Sequence, residues 1–181
     1  MKLTPQYIME QYRRSGKRHL FITGYRQVGK TTLFNKILPI IEEKGKPLHG
    51  LTSYMVPKTA VMLRDNITGA EGAVGIYCPE KATVGKNMIP HSDGFFAVGI
   101  PAMEKALISE SRWVTIDELG FLESGETGFQ QAVKDVLDKK QVLAVIRKLE
   151  KGKVLFIDEL IERDDVFILD LDNYDKEQYF D

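Results

Sequence analysis

One cysteine in 181 residues leaves no internal disulfide to be made. Cys78 has no neighbour at metal-ligand spacing, and its flanks, Ile76-Tyr77 and Pro79, read as a thiol at the end of a strand. The three histidines, His19, His49 and His91, are dispersed and share no such spacing either. No apolar run approaches the ~20 residues that span a bilayer. The N-terminal stretch MKLTPQYIMEQYRRSGK lacks the continuous apolar core of a signal peptide, which makes the cytoplasm the expected compartment. An excess of charge is missing as well. Lys and Arg number 25 against 26 Asp and Glu, and the net charge of −1 provides no footprint for nucleic acid or an anionic membrane.

Repeats, low-complexity tracts and linkers are absent too, so residues 1–181 read as a single domain. A chain this long buries about 70% of its unfolded surface without staples. A short helix is expected over residues 5–15, where Tyr7, Ile8 and Tyr12 fall at helical spacing. Residues 18–23 (RHLFIT) read as a buried strand running into Gly24. From Lys30 to about Glu43, Leu33, Phe34, Ile37, Ile40 and Ile41 define one helix face, which Pro39 should kink or shorten. The stretch from about 48 to 98 carries short β-rich pieces at 59–64, 73–78 and 94–98 between Gly/Asn/Asp turns, as inserted antiparallel hairpins would. The glycines at 69, 72 and 75 read as turns, because no helix follows them.

Strand and helix then alternate. Ile100, Met103, Ala106 and Leu107 mark a helix, and Trp113 to Ile116 a strand. Phe129, Ala132, Val133, Val136 and Leu137 mark a second helix, and Val142 to Ile146 another strand. Residues 154–163 and 165–171 add a helix and a last strand. The expectation is a three-layer α/β fold with a mostly parallel sheet covered on both faces.

One segment carries chemistry on its own. Gly24-Tyr25-Arg26-Gln27-Val28-Gly29-Lys30-Thr31 matches G-x-x-x-x-G-K-[ST], the Walker A phosphate loop, between an expected strand and an expected helix. The glycines let the backbone approach a phosphate, and the loop amides and positive helix end then face it. Lys30 is expected to reach the β- and γ-phosphates, the Thr31 hydroxyl to bind magnesium, and Thr32 to bond the α-phosphate. Such a site also needs a carboxylate at a neighbouring strand end. Residues 113–120 (WVTIDELG) and 154–159 (VLFIDE) both run from apolar residues into Asp-Glu. The first is bounded like a strand by Gly120, so Asp117 is assigned to magnesium through its water and Glu118 to orienting the attacking water. Asp158-Glu159 suits a solvated helix surface. Arg26 in the loop and Arg147 after the strand 142–146 are the candidate cations for charge on the γ-phosphoryl group.

GYRQVGKTTL at 24–33, GIPAMEKAL at 99–107, VTIDELGFLES at 114–124 and FQQAVKDVL at 129–137 are similar to the Thep-type, or cancer-related, family of small P-loop nucleoside-triphosphatases. The resemblance implies a RecA-like fold that hydrolyses several nucleoside triphosphates to diphosphates with magnesium. It also implies phosphate binding over residues 24–32, with Asp117 and Glu118 in the second motif. Two stretches depart from the family pattern. Thr52-Ser53-Tyr54-Met55-Val56 stands where the family has Thr-x-Glu-Val-Arg, and Asp172-Asn173-Tyr174-Asp175 where it has Glu-Asn-Arg-Asp.

The expected activity is therefore magnesium-dependent hydrolysis of ATP, GTP or other triphosphates with broad base tolerance. No Asn-Lys-x-Asp follows the second carboxylate site, so dedicated guanine reading has no support. A phosphotransferase passing the γ-phosphate to a nucleoside, nucleotide or other small acceptor uses the same loop, but no clustered arginines form a lid. A slow nucleotide-dependent switch is the third reading. It would dock a partner through Tyr54, Met55, Phe95 and Phe96, which are instead expected in the core. A monomer without nucleic-acid or membrane contacts is expected.

Overall fold

The structure is a computed structural model that describes residues 3–81 and 88–174. Helix α1, Pro5–Ser15, starts where the Thr4 hydroxyl accepts the Tyr7 amide, with Pro5 in the first turn, and stops at left-handed Gly16. It buries Ile8, Met9 and Tyr12. Strand β1, His19–Thr23, is buried along its whole length, as a strand covered on both faces must be. Helix α2, Lys30–Ile41, buries Leu33, Phe34, Ile37 and Ile41. Pro39 sits in its last turn, and the helix ends two residues later, short of Glu43.

The remaining strands are β2 (His49–Val56), β3 (Ala60–Asp65), β4 (Glu71–Tyr77), β5 (Met88–Pro90), β6 (Trp113–Leu119), β7 (Gln141–Ile146) and β8 (Val166–Asp170). All eight join one sheet in the order β5-β4-β3-β2-β6-β7-β1-β8. The run β2-β6-β7-β1-β8 is parallel, whereas β2, β3, β4 and β5 pair antiparallel. The β-rich middle of the chain thus extends the main sheet. Helices α1 and α2 cover one face, packing Ile8, Leu33 and Ile37 on Leu20, Ile22, Leu143 and Val145. Helices α3 (Ile100–Ile108), α4 (Thr127–Lys139) and α5 (Leu155–Ile161) cover the other, where Met103, Phe129 and Leu160 join the cluster of Phe21, Val114, Ile116 and Ala144. Helices on both faces of a mostly parallel sheet make the expected three-layer α/β architecture.

Three expectations change. Residues 94–98 are no strand: Phe95–Gly99 forms a π-helical turn that runs into α3. Its buried positions, Phe95, Val98, Gly99, Ala102, Met103 and Ala106, keep a three-to-four residue spacing, and a short apolar run alone cannot tell strand from helix. Strand β2 is not among the expected pieces, because His49–Val56 shows neither a continuous apolar run nor a strict alternation. Its Gly50 has φ of 148°, and a Cβ there would lie 1.9 Å from the Thr115 carbonyl oxygen, so the close pairing of β2 with β6 needs a glycine. Finally, Phe95 is buried against Phe129 at 4.9 Å between ring centres, but Tyr54, Met55 and Phe96 are exposed rather than in the core. Phe96 follows buried Phe95 in the turn and turns outward.

Candidate active site

Parallel strands place their carboxyl ends at one edge of the sheet, and in such folds ligands bind outside that edge. The edge carries Thr23 at the end of β1, Asp117 and Glu118 on β6, Arg147 and Lys148 just past β7, and Asp170 at the end of β8. The loop 24–29 leaves β1 here and delivers the chain to the N-terminus of α2. Its path needs positive φ at Gly24 (143°), Gln27 (59°) and Gly29 (100°). Val28 turns inward and anchors the loop. The Lys30 ammonium lies inside the curl, donating to the carbonyls of Gly24 (2.9 Å) and Tyr25 (2.8 Å). Burial pushes its pKa down, while the charge of Glu118 opposes the shift.

The second motif meets the first at Thr31, whose hydroxyl lies 3.4 Å from Asp117 Oδ1. Asp117 is 5% exposed, and burial pushes its carboxyl up to about 6 despite the Thr31 contact. A hydroxyl and a buried carboxylate facing each other at a helix N-terminus suit a hard divalent cation. Among the described residues no group of three or more His, Cys, Asp or Glu side chains gathers to hold a metal. An ion at this position would meet the Thr31 hydroxyl and, through its water, Asp117, and would fill the rest of its shell with phosphate oxygens and waters, the arrangement magnesium favours.

Glu118 is held at both ends. Its amide donates to Ser53 Oγ (3.0 Å), and that hydroxyl donates to the Asp117 carbonyl (3.1 Å). Its Oε1 accepts from Arg147 Nε at 3.0 Å. Behind it, Gly120 turns the chain against the Arg147 side chain, and the Gly120 amide donates to Glu123 Oε2 at 2.7 Å. Glu123 is 6% exposed, and burial pushes its carboxyl up to about 7. On the other flank, Asp172 accepts the Tyr25 amide and Lys148 bridges Asp170 and Asp172.

The fold thus gathers residues 24–31, Asp117, Glu118 and Arg147 at one edge. Thr32 is exposed on the first turn of α2, and Arg26 is exposed on the loop with no ion pair among the described residues. The competing acidic pair lies on α5: Asp158 accepts the Gly152 amide, and exposed Glu159 pairs with Lys134 of α4. In the sequence Ser53 and Asp172 stand out only as members of the two departing stretches, and Glu123 and Lys148 do not stand out as site residues. The carboxyl-end argument that singled out Arg147 would have found Lys148 had it been carried one residue further. Ser53 belongs to a strand that the sequence pattern hides. Of the second departing stretch, Asp175 lies outside the described residues.

The sequence model of the NTPase family matches residues 19–181. The chain belongs to this Thep-type nucleoside-triphosphatase family. It is 31% identical over 155 residues to the nucleoside-triphosphatase THEP1 of Thermofilum pendens, covering 82% of this chain and 84% of that protein. It is 28% identical over 171 residues to the mouse cancer-related nucleoside-triphosphatase homolog, covering 85% and 88%. The solution structure of a human cancer-related nucleoside triphosphatase superposes with a TM-score of 0.67 at 25% identity, over 84% of this chain and 88% of that one. The THEP1 crystal structure from Aquifex aeolicus has the same TM-score at 22% identity, over 84% and 89%, and so shares the fold. Against the family pattern, the departures fall on Tyr54, Met55 and Val56, which follow the Thr52–Asp117 pairing, and on the turn that carries Asp172 to the phosphate loop and ends at Tyr174.

Proposed function

We propose that this member of the family hydrolyses nucleoside triphosphates to diphosphate and phosphate, with magnesium and with little discrimination among bases. The observation that carries the reading is the meeting of Thr31 with buried Asp117 at the mouth of a Walker A loop, with Glu118 on the same strand end. The loop amides and Lys30 bind the β- and γ-phosphates, and Thr32 bonds the α-phosphate. Thr31 and Asp117 hold magnesium, which when bound neutralises charge developing on the phosphate oxygens. Glu118 orients the attacking water and accepts its proton. Arg147, within reach of Glu118, is placed to stabilise charge on the transferred group, and exposed Arg26 is the weaker candidate. Base tolerance is what the resemblance to the family implies, and the sequence has no Asn-Lys-x-Asp motif to support dedicated guanine reading. The parent family acts on triphosphates by name, and that supports hydrolysis over transfer to an acceptor.

Phosphate release from ATP, GTP, CTP and UTP with magnesium tests this reading. Glu118→Gln should slow release by about 10²-fold or more, while nucleotide affinity stays within a few-fold. Lys30→Ala should abolish productive binding with the fold intact, and Glu159→Gln should change neither quantity. If Glu159→Gln slowed release and Glu118→Gln did not, the carboxylate assignment would be wrong. Tight magnesium-dependent binding without release would move the weight to the switch.

A further inference from the structure

We infer that Asp172 and Lys148 are positioning residues that hold the first turn of the phosphate loop in its binding shape. This inference rests on reading residues 24–31 as a phosphate loop. Strand β8 ends at Asp170, whose Oδ1 accepts the Asp172 amide at 3.1 Å and so starts a tight turn. That turn points the Asp172 carboxylate back at the loop, where Oδ1 and Oδ2 lie 3.0 and 3.1 Å from the Tyr25 amide nitrogen. Lys148, coming from the end of β7, donates to Asp170 Oδ2 at 2.7 Å and Asp172 Oδ2 at 2.9 Å. Its ammonium also lies 5.0 Å from the centre of the Tyr25 ring. Three neighbouring strand ends, β7, β1 and β8, are thereby tied to one loop residue.

The consequence lies in what else Tyr25 does. Its carbonyl accepts from Lys30 Nζ, the cation that is to meet the phosphates. Asp172 therefore grips the amide of the residue whose carbonyl locates Lys30. The contact is close on the glycine side too: a Cβ on Gly24 would lie 3.3 Å from Asp172 Oδ1 and 3.4 Å from Leu171 Cβ. Asp172 takes an amide at the entrance of the loop and leaves the amides from Gln27 onward, nearer the helix end, for phosphate. Releasing the clasp frees Tyr25 and the Lys30 ammonium together, so it should weaken phosphate binding more than it slows the chemical step. Were the carboxylate instead an internal anion competing with phosphate, its removal would tighten binding.

The test compares the full-length chain with Asp172→Asn, Lys148→Met, their double variant and Asp172→Glu. The readouts are kcat and KM for ATP with magnesium and the Kd of ADP by calorimetry. Asp172→Asn and Lys148→Met should each raise KM and the ADP Kd by about tenfold, with kcat falling less than about threefold. The double variant should be no worse than the weaker single by more than about twofold, because both belong to one network. Asp172→Glu should restore most of the affinity, and far-ultraviolet circular dichroism should match the wild type throughout. Unchanged or lower KM and Kd in both single variants, or fully multiplicative losses, would overturn the clasp alone. A wild type that neither binds ADP nor hydrolyses ATP would overturn the phosphate-loop reading and the clasp with it.

Discussion

Around the phosphate loop, small polar side chains do most of the aiming. Ser53 bonds both sides of the Asp117–Glu118 peptide, as acceptor from one residue and donor to the other. Glu123 does similar work for the turn at Gly120, as a buried carboxyl held by a backbone amide. Thr23, at the end of β1, differs from both. Its Oγ1 is buried and has no hydrogen-bond partner among the described residues. A buried hydroxyl without a partner carries a desolvation cost of about 1–3 kcal/mol. Valine has nearly the same shape without that cost, so Thr23→Val should stabilise the ligand-free chain by about 1 kcal/mol. For a chain of this size that raises Tm by roughly 2–4 °C. A lower Tm in differential scanning calorimetry would mean that the hydroxyl has a partner after all.

The strands carry a pH response away from the site. At the amino end of β1, His19 is fully buried, accepts the Val142 amide on Nδ1 and faces Asp165 from Nε2 at 3.2 Å. Burial pushes its pKa down to about 4, against Asp165, which opposes the shift, and Arg163 and Arg18, which add to it. Asp165 is held at about 2, chiefly by its bonds from Arg163. Between about pH 6.5 and 4 the unfolded chain binds a proton at this histidine that the folded chain refuses. The fold therefore loses stability here as pH falls, by roughly 2–3 kcal/mol over the window. Asp117 and Glu123 work in the opposite sense, since their raised values make the folded chain take protons first. The measurement that isolates His19 is thus a difference: urea midpoints of wild type and His19→Gln at pH 7, 5.5 and 4. The wild type should lose ground to the variant as pH falls, and parallel curves would remove His19 as the cause.

Across the whole molecule, the order β2-β6-β7-β1-β8 decides which strand ends share the site. Strand β7 lies between β1 and β6, so Arg147 reaches Glu118 on one side while Lys148 reaches the β8 turn on the other. A ligand that bridges the P-loop and β6 binds only the folded sheet, and its binding energy adds to the stability of the whole domain. ADP with magnesium at about 100 times its Kd should add about 2.7 kcal/mol, a rise in Tm of roughly 5–10 °C. Chelating the metal should remove much of that rise, and Lys30→Ala should remove nearly all of it in a thermal-shift titration. A wild-type Tm indifferent to ADP would speak against nucleotide binding at this edge.

The amino-acid sequence by itself determined the phosphate loop, the carboxylate pair on β6, the flanking helices and the α/β class. Each of these is local: a loop with its glycines and lysine, or a periodic run, carries its chemistry within a dozen residues. Tertiary structure alone decided what braces that chemistry. Ser53 lies 65 positions from Glu118, and Asp172 lies 147 from Tyr25. No spacing rule links such pairs, because they meet only where parallel strands align their ends. The same holds for β2 and for the turn Phe95–Gly99. Their short runs fit strand or helix equally well, and burial against Thr115 and Phe129 made the choice.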